Sequence, residues 1–211
     1  STAIVEILGR AGFDYAIIYT EHGMFDMTSC GELIRASHGS GMSPVVRVLQ
    51  NDAPLIMKAL DLGAEGIIIP HVSTRDDAER AVAACHYGIG QLRGACPLVR
   101  AADYGLTDWR GYEKESNDRN LVIALIEDLE GAQNVEEIVS VEGVDCVTLG
   151  AFDMSVSGGF SGNTAHPAVQ EALDSILAAC NARCIPVMHA LSNGPDVDAV
   201  SYTHLTLPTK A

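Results

Sequence analysis

Carboxylates, imidazoles and one arginine stand where long apolar runs of this sequence end. Glu21 and His22 follow "YAIIY", Arg47 interrupts "PVVRVL", His71 ends "GIIIPH", Glu127 closes "LVIALIE", and Asp153 follows "CVTLGAF". Glu127 and Asp153 lie one strand–helix unit apart, so in a barrel they would come from neighbouring strand ends. Two carboxylates there repel unless a cation sits between them. A hard divalent ion held by two carboxylates, with water and substrate oxygens at its other positions, fits magnesium or manganese. The alternative is that one or both are loop acids, helix caps or surface charges. Arg47 in an apolar strand needs an anion, either a bound ligand or the carboxylate of a structural salt bridge. His22 is either a general base near neutral pH or a hydrogen-bonded structural residue. His71 has the same two readings, with the structural one favoured.

Lysine placement narrows the chemistry further. A Schiff-base mechanism needs a desolvated lysine projecting into the pocket. Only Lys58, Lys114 and Lys210 occur, the first in a helix pattern, the second in a charged connection and the third in the tail. Carbanion chemistry in this chain must therefore lean on a metal.

The elements that must position these groups are strands alternating with helices. Near-continuous apolar runs at 15–20, 44–49, 66–72, 121–127, 145–150 and 185–189 read as parallel strands buried on both faces. Helical patterns lie between them, at "DAPLIMKALDLG" closing on Gly63, "STRDDAERAVAACHYG" with Ser73 or Thr74 as cap, "NVEEIVSVEG" and "HPAVQEALDSILAACNARC". This alternation predicts an α/β fold with right-handed crossovers. No Gly-x-Gly-x-x-Gly follows the first strand and no Walker-type Gly-Lys-Ser/Thr occurs. Polar residues gathered at the carboxyl ends of several strands point instead to a TIM barrel.

Composition bounds the function. The 211 residues are 47% hydrophobic and 19% charged with 20 glycines, a soluble globular composition. A net charge of −15 argues against a nucleic-acid partner. No apolar run approaches the roughly 20 residues of a membrane span, and no signal peptide opens the chain. The six cysteines form no Cys-x-x-Cys pair, which reads as free thiols in a reducing cytoplasm.

Taken in order, "AGFDYAIIYTEHG", "PVVRV", "LDLGAEGIIIPHV", Arg93-Gly94, "LIED", "GVDCVTLGAFDMS" and "HPAVQ" resemble the HpcH/HpaI aldolases. These are the 4-hydroxy-2-oxoheptanedioate type of class II pyruvate aldolase, in the phosphoenolpyruvate/pyruvate barrel superfamily. The resemblance spans residues 3 to 199. It implies a cytoplasmic, homo-oligomeric carbon–carbon lyase, trimeric or hexameric, of aromatic-compound or sugar-acid catabolism. Such an enzyme reversibly cleaves a 4-hydroxy-2-oxo acid to pyruvate and an aldehyde through a metal-stabilised enolate. Glu127 and Asp153 would be ligands to Mg2+ or Mn2+, with Co2+ or Zn2+ also accepted. The 2-oxo acid would chelate that ion, and backbone N–H groups near Phe152 and Asp153 would hold its carboxylate. Arg47 would stabilise the enolate oxygen, and His22 would take part in proton transfer. The competing readings are an acyl-CoA lyase of the same superfamily and an inactive metal or oxo-acid binder.

Three departures from the family pattern bear on those roles. Tyr19 stands where the family has the aspartate that orients the histidine, Asp128 stands where threonine usually follows the ligand glutamate, and Phe152 adds bulk beside the pyruvate site. The resemblance also places the barrel's first and eighth strands outside this sequence. The expected architecture is thus one incomplete barrel domain over 1–200 and a non-family tail over 201–211.

Overall fold

The predicted strands form in the computed structural model, which describes residues 1–189. They are β1 (Tyr15–Tyr19), β2 (Ser43–Arg47), β3 (Gly66–Ile69), β4 (Leu121–Ile126), β5 (Cys146–Leu149) and β6 (Val187–Met188). Each stops one to three residues short of its predicted carboxyl end. The shortfall falls at a polar residue after β1, β4 and β6, at Gly150 after β5, at apolar Val48 and Leu49 after β2, and after β3 at Pro70, which has no N–H to donate to a ladder. The helices are α1 (Thr2–Arg10), α2 (Met27–Gly39), α3 (Ala53–Asp61), α4 (Arg75–Cys85), α5 (Trp109–Arg119), α6 (Leu129–Gln133), α7 (Val135–Ile138), α8 (Ala151–Ser157) and α9 (Pro167–Ala182).

Local chemistry starts and stops these helices. Asp52 caps α3 by accepting from Leu55 N at 3.1 Å. Thr74, rather than Ser73, caps α4: its hydroxyl accepts from Asp77 N at 3.2 Å while the Asp77 carboxylate accepts from Thr74 N at 3.0 Å. Gly63 ends the turn after α3 at φ +101°, and a Cβ there would lie 2.3 Å from Arg100 Nη1. Lys114, expected in a charged connection, lies within α5. That helix buries only Tyr112 and Ser116, so its sequence shows no apolar stripe.

The chain divides into two compact units, Ser1–Pro70 with Arg80–Val122, and His71–Glu79 with the chain from Ile123 onward. In the first, β1, β2 and β3 pair in parallel, with Tyr19 opposite Arg47 and Val45 opposite Gly66. Its core includes Ile34, Val45, Ile56, Leu60 and Ile67. Arg93 is sealed within this unit, its guanidinium 4.1 Å from the Tyr87 ring centroid and donating to Ser116 Oγ at 2.8 Å and Tyr112 Oη at 3.2 Å. In the second unit β4, β5 and β6 are parallel, with Ile123 opposite Cys146 and Val147 opposite Val187. Helix α9 buries Val169, Ala172, Ile176 and Cys180 there.

All six cysteines are free thiols, and burial pushes Cys30 and Cys180 up to about 11 and Cys146 to about 12, so these three are unreactive core residues. No helix among the described residues is long and apolar enough to cross a membrane. The expected tail at 201–211 lies outside the described residues.

Candidate functional site

The first unit holds one group of candidate residues at the ends of β1 and β2. The Tyr19–Arg47 register brings these ends level, and Thr20 secures them, donating to the Arg47 carbonyl from its N–H at 3.1 Å and its hydroxyl at 2.6 Å. Glu21 then turns inward. Its side chain is 5% exposed and ion-paired with Arg47 Nη2, itself 14% exposed. The Arg47 guanidinium also lies 4.8 Å from the Tyr19 ring centroid, a cation–π distance. His22 stays 69% exposed with Nε2 3.9 Å from Glu21 Oε2. Gly23 allows the turn because a Cβ there would sit 2.9 Å from the Tyr19 carbonyl oxygen. Of the two sequence readings of Arg47, the carboxylate pair is present, and its partner is the neighbour of His22.

The second unit holds the other group. Glu127 follows β4 and is 3% exposed. Its Oε1 accepts from the His71 N–H at 2.9 Å and faces His71 Nδ1 at 3.0 Å. The end of β5 closes on it from another direction. Gly150 N donates to the Ile126 carbonyl at 2.9 Å, and a Cβ on Gly150 would lie 2.2 Å from Glu127 Cβ. Any side chain at position 150 would displace the carboxylate. Helix α8 starts immediately after, with Asp153 exposed in its first turn. Phe152 is 62% exposed and borders Gly162, where a Cβ would stand 3.1 Å from its ring.

Asp128 has a structural task. It caps α6, accepting from Gly131 N at 2.6 Å and from Ser73 Oγ at 2.5 Å. Asn134 in turn donates to the Ser73 carbonyl at 2.9 Å, which fixes the segment after His71.

The donor chemistry of the second group fits a hard divalent ion. A buried carboxylate stands against a side-chain-free position, and the next helix carries a second carboxylate in its first turn. Two contributors were under-read in the sequence. In the sequence Glu21 reads only as a polar strand end, and His71 carries two readings with the structural one favoured. The signal for both was a charged or imidazole residue directly after an apolar run, but their partners follow from strand register and not from local sequence.

Comparison with known proteins gives the family of the chain. Residues 1–199 match the family model for HpcH/HpaI aldolase/citrate lyase. The chain is 36% identical over 187 residues to the 2-dehydro-3,6-dideoxy-6-sulfogluconate aldolase of Pseudomonas putida, covering 89% of this chain and 72% of that one. It is 36% identical over 181 residues to the 5-keto-4-deoxy-D-glucarate aldolase of Shigella boydii, covering 86% and 70%. A solved HpcH/HpaI aldolase/citrate lyase family protein from Burkholderia cenocepacia superposes with a TM-score of 0.90 at 31% identity, over 96% of this chain and 80% of that one. With six of the eight strands of a TIM barrel among its described residues, the chain belongs to the HpcH/HpaI aldolase/citrate lyase family of carbon–carbon lyases.

Proposed function

We propose that this lyase is a metal-dependent aldolase that reversibly cleaves a 4-hydroxy-2-oxo acid into pyruvate and an aldehyde. The observation that carries this reading is the buried Glu127 carboxylate, packed against Gly150 at the start of the helix that bears Asp153. It occurs in a chain 36% identical to two aldolases of keto or dehydro sugar acids. A sugar-acid-like substrate follows from those relatives.

Glu127 and Asp153 would hold Mg2+ or Mn2+. When bound, that ion supplies Lewis-acid stabilisation of negative charge developing on the substrate's 2-oxo oxygen. In cleavage the C3–C4 bond breaks, its electron pair passes to C3 and the 2-oxo oxygen, and the C4 hydroxyl loses its proton as the aldehyde forms. Arg47 adds positive charge for the enolate oxygen. His22, exposed and next to Glu21, is the group assigned to move the hydroxyl proton. The first-turn amides of α8, which have no acceptor within the helix, would receive the substrate carboxylate near Phe152 and Asp153. Protonation at C3 then yields pyruvate. Lys58 and Lys114 lie on α3 and α5, so neither is a Schiff-base lysine at a strand end. The free thiols and the family relation support a cytoplasmic homo-oligomer built on one catalytic domain over 1–200.

The test is pyruvate release from a racemic 4-hydroxy-2-oxo acid by the full chain after chelator treatment, with malyl-CoA as the comparison substrate. Release restored by Mn2+ or Mg2+ and abolished by Glu127→Ala or Asp153→Ala is expected. Release that survives either substitution, or that needs no metal, would overturn the metal-dependent reading. Preferential cleavage of malyl-CoA would move the assignment to an acyl-CoA lyase.

A further inference from the structure

We infer that His71 is a positioning residue for Glu127, fixing one carboxylate oxygen so that the other is presented to a divalent ion. The inference rests on the reading of Glu127 as a metal ligand. His71 adopts φ +54°, a left-handed conformation uncommon for any residue other than glycine. Strained backbone of this kind persists where the surroundings over-determine it, and it clusters at functional sites.

The surroundings here can be named. Pro70 precedes His71 and fixes the approach of the chain. Val72 N donates to the Leu125 carbonyl at 3.2 Å, and Ser73 Oγ donates to the Asp128 cap at 2.5 Å, so the residues after His71 are tied alongside the end of β4. Between those ties the left-handed turn aims both donors of His71 at one atom. Its N–H reaches Glu127 Oε1 at 2.9 Å and its Nδ1 lies 3.0 Å from the same oxygen. Glu127 Oε2 lies on the Gly150 side, 3.3 Å from where a Cβ of that residue would be, at the threshold of the helix carrying Asp153.

One carboxylate oxygen is therefore occupied by two donors from a single residue, and the other faces the second acidic group's helix. For the ring to donate, Nδ1 carries the proton and Nε2 points outward, consistent with a side chain 67% exposed. Partners that orient a ligating carboxylate characteristically change metal affinity by about 10- to 100-fold when removed. A histidine that served only to stabilise the turn would not need its ring on Oε1, because the backbone N–H already bridges the two segments.

The test measures Mn2+ binding to the full chain without substrate, by the EPR signal of the free ion. The set is the unsubstituted protein, His71→Gly, His71→Asn and Glu127→Ala, each checked for a cooperative melt. Glycine suits the positive φ and keeps the N–H, so the loss it reports is that of the imidazole. Asparagine also tolerates this backbone region and restores a side-chain donor. The expected result is affinity about tenfold weaker in His71→Gly, recovered to within about threefold in His71→Asn, and lost in Glu127→Ala. Unchanged affinity in His71→Gly with loss in Glu127→Ala would overturn the role of His71 and leave the metal site standing. Unchanged affinity in Glu127→Ala would overturn both. Nitrogen modulation in the pulsed EPR spectrum that vanishes in His71→Asn would also overturn the positioning role, by showing the imidazole on the metal itself.

Discussion

Arg47 and Glu21 form the pair on which the first group of residues turns. The guanidinium holds the Glu21 carboxylate, lies over Tyr19 and comes from a residue whose carbonyl accepts twice from Thr20. Lysine could keep the charge but neither the fork nor the stacking face. Arg47→Lys is accordingly expected to lower turnover by about 100- to 1,000-fold, the scale of removing one donor from an oxyanion site. Mn2+ affinity should stay within about threefold, since Arg47 is not a ligand in the proposed scheme. Steady-state rates beside a metal titration check both halves, and unimpaired turnover would reduce Arg47 to a structural salt bridge. The sequence exposed Arg47 because an arginine inside an apolar run needs a partner. It did not expose which partner, because Glu21 reaches Arg47 only through the β1–β2 register. The carboxylate beside His22 is likewise Glu21, at 3.9 Å, whereas Tyr19 approaches the same imidazole with ring centroids 6.0 Å apart. The aspartate missing at position 19 thus leaves His22 with an acidic neighbour from the residue next to it.

At the scale of elements, the caps and strand ends decide how the second group is held. Asp128 stands where the family resemblance expects threonine, and both residue types make good N-caps. Asp128→Ala should destabilise the protein by about 1–2 kcal/mol through loss of the α6 cap and the Ser73 tie, while Asp128→Thr should cost less than about 0.5 kcal/mol. Denaturant midpoints with unchanged slopes would measure this, and equal losses for the two variants would show that the charge, not the cap, matters. The strands were legible because burial on both faces writes itself as an unbroken apolar run. Helix α9 was legible from its Pro167 start and long amphipathic repeat. Helices α5 and α8 were not, since α5 is charged around most of its surface and α8 has only seven residues. Gly150 was equally silent in the sequence. Its necessity appears only when the end of β5 is seen closing on Glu127.

At the scale of the whole molecule, acid should act first on the unit that holds Glu65. That carboxylate accepts from Arg119 Nη2 at 2.8 Å and from His38 Nε2 at 3.2 Å, while His38 Nδ1 faces Arg100 Nη2 at 3.2 Å. Because an arginine can only donate, His38 Nδ1 accepts and the ring proton sits on Nε2, directed at Glu65. The His38 hydrogen bond, that of Ser43 and the Arg119 charge together outweigh burial and bring Glu65 down to about 2 from 4.5. A carboxyl lowered on folding stabilises the native state above its unfolded value and loses that contribution as pH falls toward the folded value. The Glu65 contribution, of order 2 kcal/mol, should therefore be complete above about pH 5 and fade between about pH 4.5 and 2. Trp109 is the one tryptophan of the chain and packs against Tyr87 at 5.2 Å between ring centroids, so its fluorescence reports this unit. Denaturant titrations followed at Trp109 should show Glu65→Gln less stable than the unsubstituted chain at pH 7, with the difference closing toward pH 2. Far-UV circular dichroism on the same samples follows both units. Coincident transitions would mean that the two units unfold as one cooperative block, and an earlier Trp109 transition in acid would mean that the first unit yields alone. A pH-independent difference between the two proteins would show that Glu65 acts through packing and not through its charge.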